Sequence, residues 1–221
     1  MDEETLKAVA VQLRKPTGER AVGVGEKMNE GNLLINLTTI EALHLMPNDN
    51  ILEIGMGNGF FVSNIFKMES TVNYTGCDFS NIMVEEACKI NEQYIKKEKA
   101  KFIFASADEL PFKEETFDKV FSVNTLYFWE NESLIFSEIH RVLKPKGQIT
   151  ISIRPKSLMQ FYPFVKYGFN MYTSDDLCQL ISNNHFKLTK LIEKEEPDQM
   201  INGAKIKVAT LIINATKNSS K

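Results

Sequence analysis

Gly55, Gly57 and Gly59 stand at every second position after a short apolar run, Ile51 to Ile54, and Glu53 lies two residues before the first of them. Apolar residues resume at Phe60, Phe61, Val62, Ile65 and Phe66, at helical intervals. The pattern predicts a buried strand, a tight turn and a helix. Glycines suit such a turn because they accept positive φ and because a missing Cβ lets backbone approach a ligand. A helix starting there offers unpaired N–H groups and a positive dipole end. This is the chemistry of a nucleotide-type cofactor loop. A dinucleotide fingerprint needs its third glycine at position 60, where Phe60 stands instead.

Asp78 closes the next apolar run, 21 positions after Gly57. In a doubly wound sheet the ends of strands one and two lie side by side at the switch point. A carboxylate there can accept both ribose hydroxyls of an adenosine; the competing reading is a solvated turn aspartate. Between positions 155 and 172, six aromatics (Phe161, Tyr162, Phe164, Tyr167, Phe169 and Tyr172) crowd one connection. They suit either a lid over an apolar acceptor or a satellite hydrophobic cluster.

The elements that would position these groups follow from periodicity. Residues 1–13 predict an amphipathic helix, 14–32 a Gly-rich irregular segment, and 33–45 a second helix. Strand and helix over 50–69 lead to a strand at 72–78 and a helix at 81–96 capped by Ser80. Strands at 101–105, 117–123 and 147–153 follow, with a helix at 131–142. Repeated βα units imply a parallel sheet with helices on both faces. The end differs: a helix at 174–183 precedes strands at 186–193 and 204–216 without a helix between them, so these should pair antiparallel. The expected division is a helical cap over 1–46, a main domain over 47–216 with a lid-like insertion at 155–172, and a frayed tail at 217–221.

The apolar share of 43% and charged share of 25% are those of a soluble globular chain. A net charge of −3 gives no general pull toward nucleic acid or anionic membrane, and no apolar run is long enough to span a bilayer. Met1-Asp2-Glu3-Glu4 lacks the apolar core of a secretory signal. Cys77, Cys88 and Cys178 have neither metal-ligand spacing nor an even count. They are expected to be free thiols in a reducing cytoplasm, and no metal site is expected. His44, His140 and His185 have no partners at recognisable spacing.

Taken together, Glu53-Ile54-Gly55-Met56-Gly57-Asn58-Gly59, Asp78-Phe79-Ser80-Asn81-Ile82-Met83, Ala105 to Phe112, Phe117 to Trp129 and Glu138-Ile139-His140-Arg141-Val142-Leu143-Lys144-Pro145-Lys146-Gly147 resemble the motifs of the class I S-adenosylmethionine (SAM)-dependent methyltransferases. The group containing the ubiquinone and menaquinone biosynthesis methyltransferases is the nearest in form. The resemblance covers about 50–155. It implies a Rossmann-like, seven-stranded, mostly parallel sheet of order 3-2-1-4-5-7-6 with strand 7 antiparallel. It implies SAM as cofactor, with Glu53, Gly55, Gly57 and Gly59 seating its amino-acid end, Asp78 its ribose, and Phe79 a further cofactor contact. Met83 would pack on the adenosine, Ser106 and Ala107 would meet the adenine ring, and the backbone near Asn124 the methionine end. Ser106 departs from the aspartate found at that position in many relatives; Asp108 is either its substitute or a solvated loop charge. Residues 14–32 resemble a segment of form R-K-P-x-G then M-N-x-x-N in some bacterial members.

The implied reaction is in-line displacement of the sulfonium methyl, for which the protein mainly holds donor and acceptor together. No Asn/Asp-Pro-Pro-Tyr sequence follows strand four and no cysteine sits in a Pro-Cys loop, which argues against amino-group methylation of DNA bases and against cytosine C5 chemistry. The expected acceptor is therefore a small molecule. No base can be assigned; Tyr127, with His44 and Glu26, is a candidate. The competing hypotheses are a non-catalytic SAM-binding module and an NAD(P)-dependent oxidoreductase. Oligomeric state is not legible.

Overall fold

The computed structural model describes residues 1–201 and 203–218. Seven strands, β1 (Asn50–Ile54), β2 (Asn73–Asp78), β3 (Ala100–Phe104), β4 (Phe117–Val123), β5 (Leu143–Ile153), β6 (Phe186–Ile201) and β7 (Ala204–Lys217), form one sheet. Its order is β3-β2-β1-β4-β5-β7-β6. The first five strands pair in parallel, and β7 runs antiparallel to both β5 and β6. This is the expected fold. In register, Ile54 pairs with Cys77 on one side and Ser122 on the other. The chain therefore leaves β1, β2 and β4 at one level, and Gly55, Asp78 and Asn124 meet where the strand order reverses.

Alternation along each strand divides the apolar side chains between two layers. Ile51, Tyr74 and Phe121 pack with Ile35, Leu43 and Ile65, from helices α3 (Leu33–Ala42) and α4 (Val62–Met68) and the turn after α3. Leu52, Ile54 and Val120 face the other way, onto Phe136 and Ile139 of α7 (Glu132–Val142) and Leu177 of α9 (Ser174–Asn183). Asn131 caps α7, and the Thr173–Asp176 capping box starts α9.

Several boundaries differ from the expectation for identifiable reasons. Residues 21–31, expected to be irregular, form helix α2 (Ala21–Gly31) behind α1 (Glu3–Arg14). Its glycines lower helix propensity, but they allow close packing: a Cβ on Gly25 would sit 3.2 Å from the Met83 sulfur. The helix expected over 81–96 breaks into α5 (Asn81–Ile90) and α6 (Glu92–Lys96). At the break, the Asn91 side chain donates to the carbonyls of Gly59 and Ala87. Strand β6 continues well past residue 193, with Pro197 inside the irregularity between Glu196 and Gln199. Strand β5 starts at Leu143 rather than 147 and bulges before Gln148. The aromatic connection holds one short helix, α8 (Lys156–Met159). Of the expected tail, Lys217 belongs to β7, where its ammonium donates to the Leu143 carbonyl; Ser219 to Lys221 lie outside the described residues.

Candidate cofactor site and the cavity beside it

The three glycines have different jobs. Gly55 (φ +73°) is pressed against the strand-four loop: a Cβ would lie 2.2 Å from Thr125 Cγ2. Gly57 (φ +58°) has no atom within 4 Å of where a Cβ would stand, so its open side faces the cavity, and its N–H donates to Asp78 Oδ2 at 3.0 Å. Gly59 does not line the cavity. A Cβ there would meet the Asn91 amide at 2.8 Å and Ala87 at 3.0 Å. Gly59 is small so that α5 and Asn91 can pack on the turn.

Two buried carboxylates line the same cavity of about 480 Å³. Glu53 accepts a 2.6 Å hydrogen bond from the Tyr74 hydroxyl. Burial pushes its pKa up to about 7, with the Tyr74 bond opposing and the charge of Asp78 adding. Asp78 accepts from Gly57 and, at 2.8 Å, from the N–H of Ser80. Burial pushes it up to about 6 against those bonds and the nearby Lys15 charge. Neither carboxylate is in an ion pair among the described residues. Thr125 Oγ1, on the same wall, is buried without a hydrogen-bond partner.

Phe79, Met83, Ser106, Ala107 and Asp108 line the same cavity. The loop carrying Ser106 is clamped from α7. Arg141 donates to the carbonyls of Leu110 (2.9 Å) and Phe112 (2.6 Å), and Glu138, paired with Arg141, accepts from the Leu110 N–H. In sequence these two residues stand only in a turn-forming context; their separation from the loop, 28 to 31 positions, hides the clamp from any local pattern.

The N-terminal segment covers the site. Pro16, Gly25, Met28 and Asn32 line the cavity. The Ser80 hydroxyl donates to the Pro16 carbonyl at 2.5 Å, Arg14 pairs with Glu130, and the Lys15 ammonium lies 5.1 Å from the Phe79 ring centroid. The R-K-P-x-G and M-N-x-x-N forms pointed at this segment without a role.

A second cavity of about 560 Å³ adjoins the first. Leu13, Met28, Asn32, Asn124 and Phe128 line both. Across this wall the Asn124 amide donates to Asn32 Oδ1 at 3.0 Å. Tyr162, Phe164 and Phe169 of the aromatic connection line the second cavity and pack on the main core as well. Tyr127 does not fit its expected role as a base. Its hydroxyl donates to Asn124 Oδ1 at 2.9 Å and accepts from the Arg154 N–H, and burial pushes its pKa far up. His44 and Glu26 line neither cavity.

Residues 52–151 match the family model described as a methyltransferase domain. An uncharacterized methyltransferase of Bacillus subtilis, YdaC, is 31% identical over 132 residues, 60% of this chain and 71% of its own length. The ubiquinone/menaquinone biosynthesis C-methyltransferase UbiE of Desulfotalea psychrophila is 29% identical over 120 residues, 54% of this chain and 47% of its own. In fold, a SAM-dependent methyltransferase of Thermotoga maritima superposes with a TM-score of 0.68 at 22% identity, over 90% of this chain and 97% of its own. With its strand order, its glycine turn and these likenesses, the chain belongs to the class I SAM-dependent methyltransferases.

Proposed function

We propose that this enzyme methylates a small-molecule acceptor seated in the second cavity, by in-line displacement. The observation that carries the reading is the shared wall at Asn32 and Asn124, which sets an open, aromatic-lined cavity directly against the cofactor cavity.

The chain's own residues fit SAM. Among the described residues Glu53 and Asp78 are buried carboxylates outside any ion pair and Thr125 Oγ1 lacks a hydrogen-bond partner, and the open side of Gly57 leaves room for backbone contact. When bound, the cofactor supplies a methyl group activated by its sulfonium. In this proposal Glu53, Gly55, Gly57 and Asn124 hold its amino-acid end. Asp78 and Phe79 hold the ribose, and Met83, Ser106 and Ala107 the adenine. Residues 1–46 and 155–172 cover the acceptor. Among the described residues no histidine, aspartate or glutamate lines the second cavity, so the contribution there is proximity, orientation and exclusion of water rather than a dedicated base. A binding-only module would have this cavity filled; its volume favours an enzyme. Three unpaired cysteines accord with a reducing, cytoplasmic setting, and among the described residues no helix is long and apolar enough to cross a membrane.

The test is methyl transfer from radiolabelled SAM to a panel of quinols, catechols, amines and aryl acids. Transfer to at least one panel compound is expected. Cofactor binding without transfer to any compound, or transfer to RNA or protein alone, would overturn the reading.

A further inference from the structure

The charged side chains lining the two cavities segregate by sign. Among the described residues Glu53, Asp78, Asp108 and Glu130 line the cofactor cavity with one lining cation, Arg14, and Lys15 lies close by. Around the second cavity stand Arg20, Lys27 and Arg154, with no carboxylate. Cofactors with a sulfonium and an ammonium suit the first. The second carries the opposite field, and low-dielectric walls focus it.

We infer that the second cavity takes an aryl carboxylate: an acceptor with an aromatic body and one anionic carboxylate that anchors it. This rests on the proposal that the second cavity is the acceptor site. Arg154 is 7% exposed, and its Nη1 alone is engaged, with Glu196, Thr210 Oγ1 (2.8 Å) and the Ala209 carbonyl (3.3 Å). Its Nε and Nη2 make no hydrogen bond among the described residues. Two donors on one planar guanidinium match a carboxylate in bidentate fashion. Glu196 holds that guanidinium from the hairpin side without itself lining the cavity.

Arg20 and Lys27 add the unneutralised charge. With Val24, Met28 and Gly31 they form the stripe of α2 that lines the cavity, at the spacing of one helical face. Neither has an ion-pair partner among the described residues. Arg20 is also the N-cap of α2, whose first turn holds no acidic residue. A cation at a helix N-terminus opposes the helix dipole, and among the described residues no ion pair offsets that cost. Phe128, Tyr162, Phe164 and Phe169 supply the surface for the ring. Arg20, Lys27 and Arg154 are absent from the cofactor cavity, so the carboxylate is an anchor and the nucleophile lies on the body, toward Asn32 and Asn124.

The test is calorimetric titration of hydroxynaphthoate and hydroxycinnamate, their carboxamides and the matching aryl phosphates. Each is titrated into enzyme saturated with S-adenosylhomocysteine, at low and high salt. The carboxylates are expected to bind roughly tenfold tighter than the carboxamides, with the difference shrinking at high salt. The double variant Arg20→Gln/Lys27→Gln is expected to weaken the carboxylates about fivefold to tenfold. It should leave carboxamide and S-adenosylhomocysteine binding unchanged. Arg154→Gln should abolish the discrimination; because it breaks a buried pair, its folding is checked by melting, and the double variant decides if it unfolds. Carboxamides binding as well as carboxylates, phosphates binding tighter than carboxylates, no binding of any carboxylate, or indifference to salt and to the double variant would overturn the inference. Failure of S-adenosylhomocysteine itself to bind would instead overturn the assignment of the cofactor site.

Discussion

The Asn124 side-chain amide donates to Asn32 Oδ1 at 3.0 Å, joining residues 92 positions apart across the wall between the two cavities. Asn124 sits at φ +56°, and its N–H bonds the Ser152 carbonyl at 2.9 Å. The partition is therefore built from the strand-four loop on one side and the junction of α2 and α3 on the other. It joins the covering segment to the sheet at the boundary of the two cavities.

Asn32→Ala removes the cover's half of the partition. Its kcat/KM for the acceptor is expected to fall about tenfold, roughly 1.4 kcal/mol of transition-state positioning. The SAM Kd should change by less than about threefold. Asn124→Ala should weaken both, and costs a further ~1 kcal/mol of stability because alanine disfavours positive φ. Steady-state kinetics with thermal melting separate the two.

The two raised carboxylates give the cofactor-free enzyme a defined pH dependence. Glu53 and Asp78 titrate near 7 and 6 in the folded chain and near 4.5 and 3.8 otherwise. Between those values the folded state binds more protons, so stability falls as pH rises from about 4 to about 7. Glu53 alone accounts for on the order of 3 kcal/mol of that slope. Glu53→Gln keeps an acceptor for the Tyr74 hydroxyl and should melt higher than the parent at pH 8, with the gap closing at pH 4. Its SAM affinity should fall. Melting curves across pH without cofactor check the sign.

Gly25 leaves no room for a branched side chain, because its Cβ would already lie 3.2 Å from Met83 Sδ and 3.4 Å from Asn58 Nδ2. Gly25→Val is expected to push α2 off the cofactor cavity. The off-rate of S-adenosylhomocysteine should rise about tenfold with only a small loss of global stability, on the order of 1 kcal/mol. Stopped-flow displacement measures it.

Arg141→Leu releases the loop that carries Ser106 and Ala107. It leaves the Leu110 and Phe112 carbonyls without their guanidinium and Glu138 without its cation. A destabilisation of about 2 kcal/mol is expected, together with weaker S-adenosylhomocysteine binding. Adenosine alone should be affected as much as the whole cofactor, and calorimetry with both ligands tests that.

The sheet and its switch point were legible because apolar strands, glycine turns and capping residues are local signals. Asp78 was legible because it ends a strand beside the glycine turn. Helix α2 was not, because Gly23, Gly25 and Gly31 mask its periodicity and packing on Met83 stabilises it. The covering contacts were equally hidden: Ser80 to Pro16 spans 64 positions. Position alone does not reveal that Gly59 packs against Ala87 and Asn91 or that the Tyr127 hydroxyl bonds the Arg154 backbone. Spacing says that a residue follows a strand, not whether it turns toward a cavity, a helix or, for Tyr127, the backbone of Arg154.

The proposed function places the cofactor against Asp78 and Gly57. Titration of SAM into the purified chain by calorimetry tests it. A single saturable site in the low micromolar range is expected, weakened about tenfold or more by Asp78→Asn in a protein that still melts cooperatively. No binding heat at millimolar SAM, or an Asp78→Asn variant that binds as tightly as the parent, would contradict it.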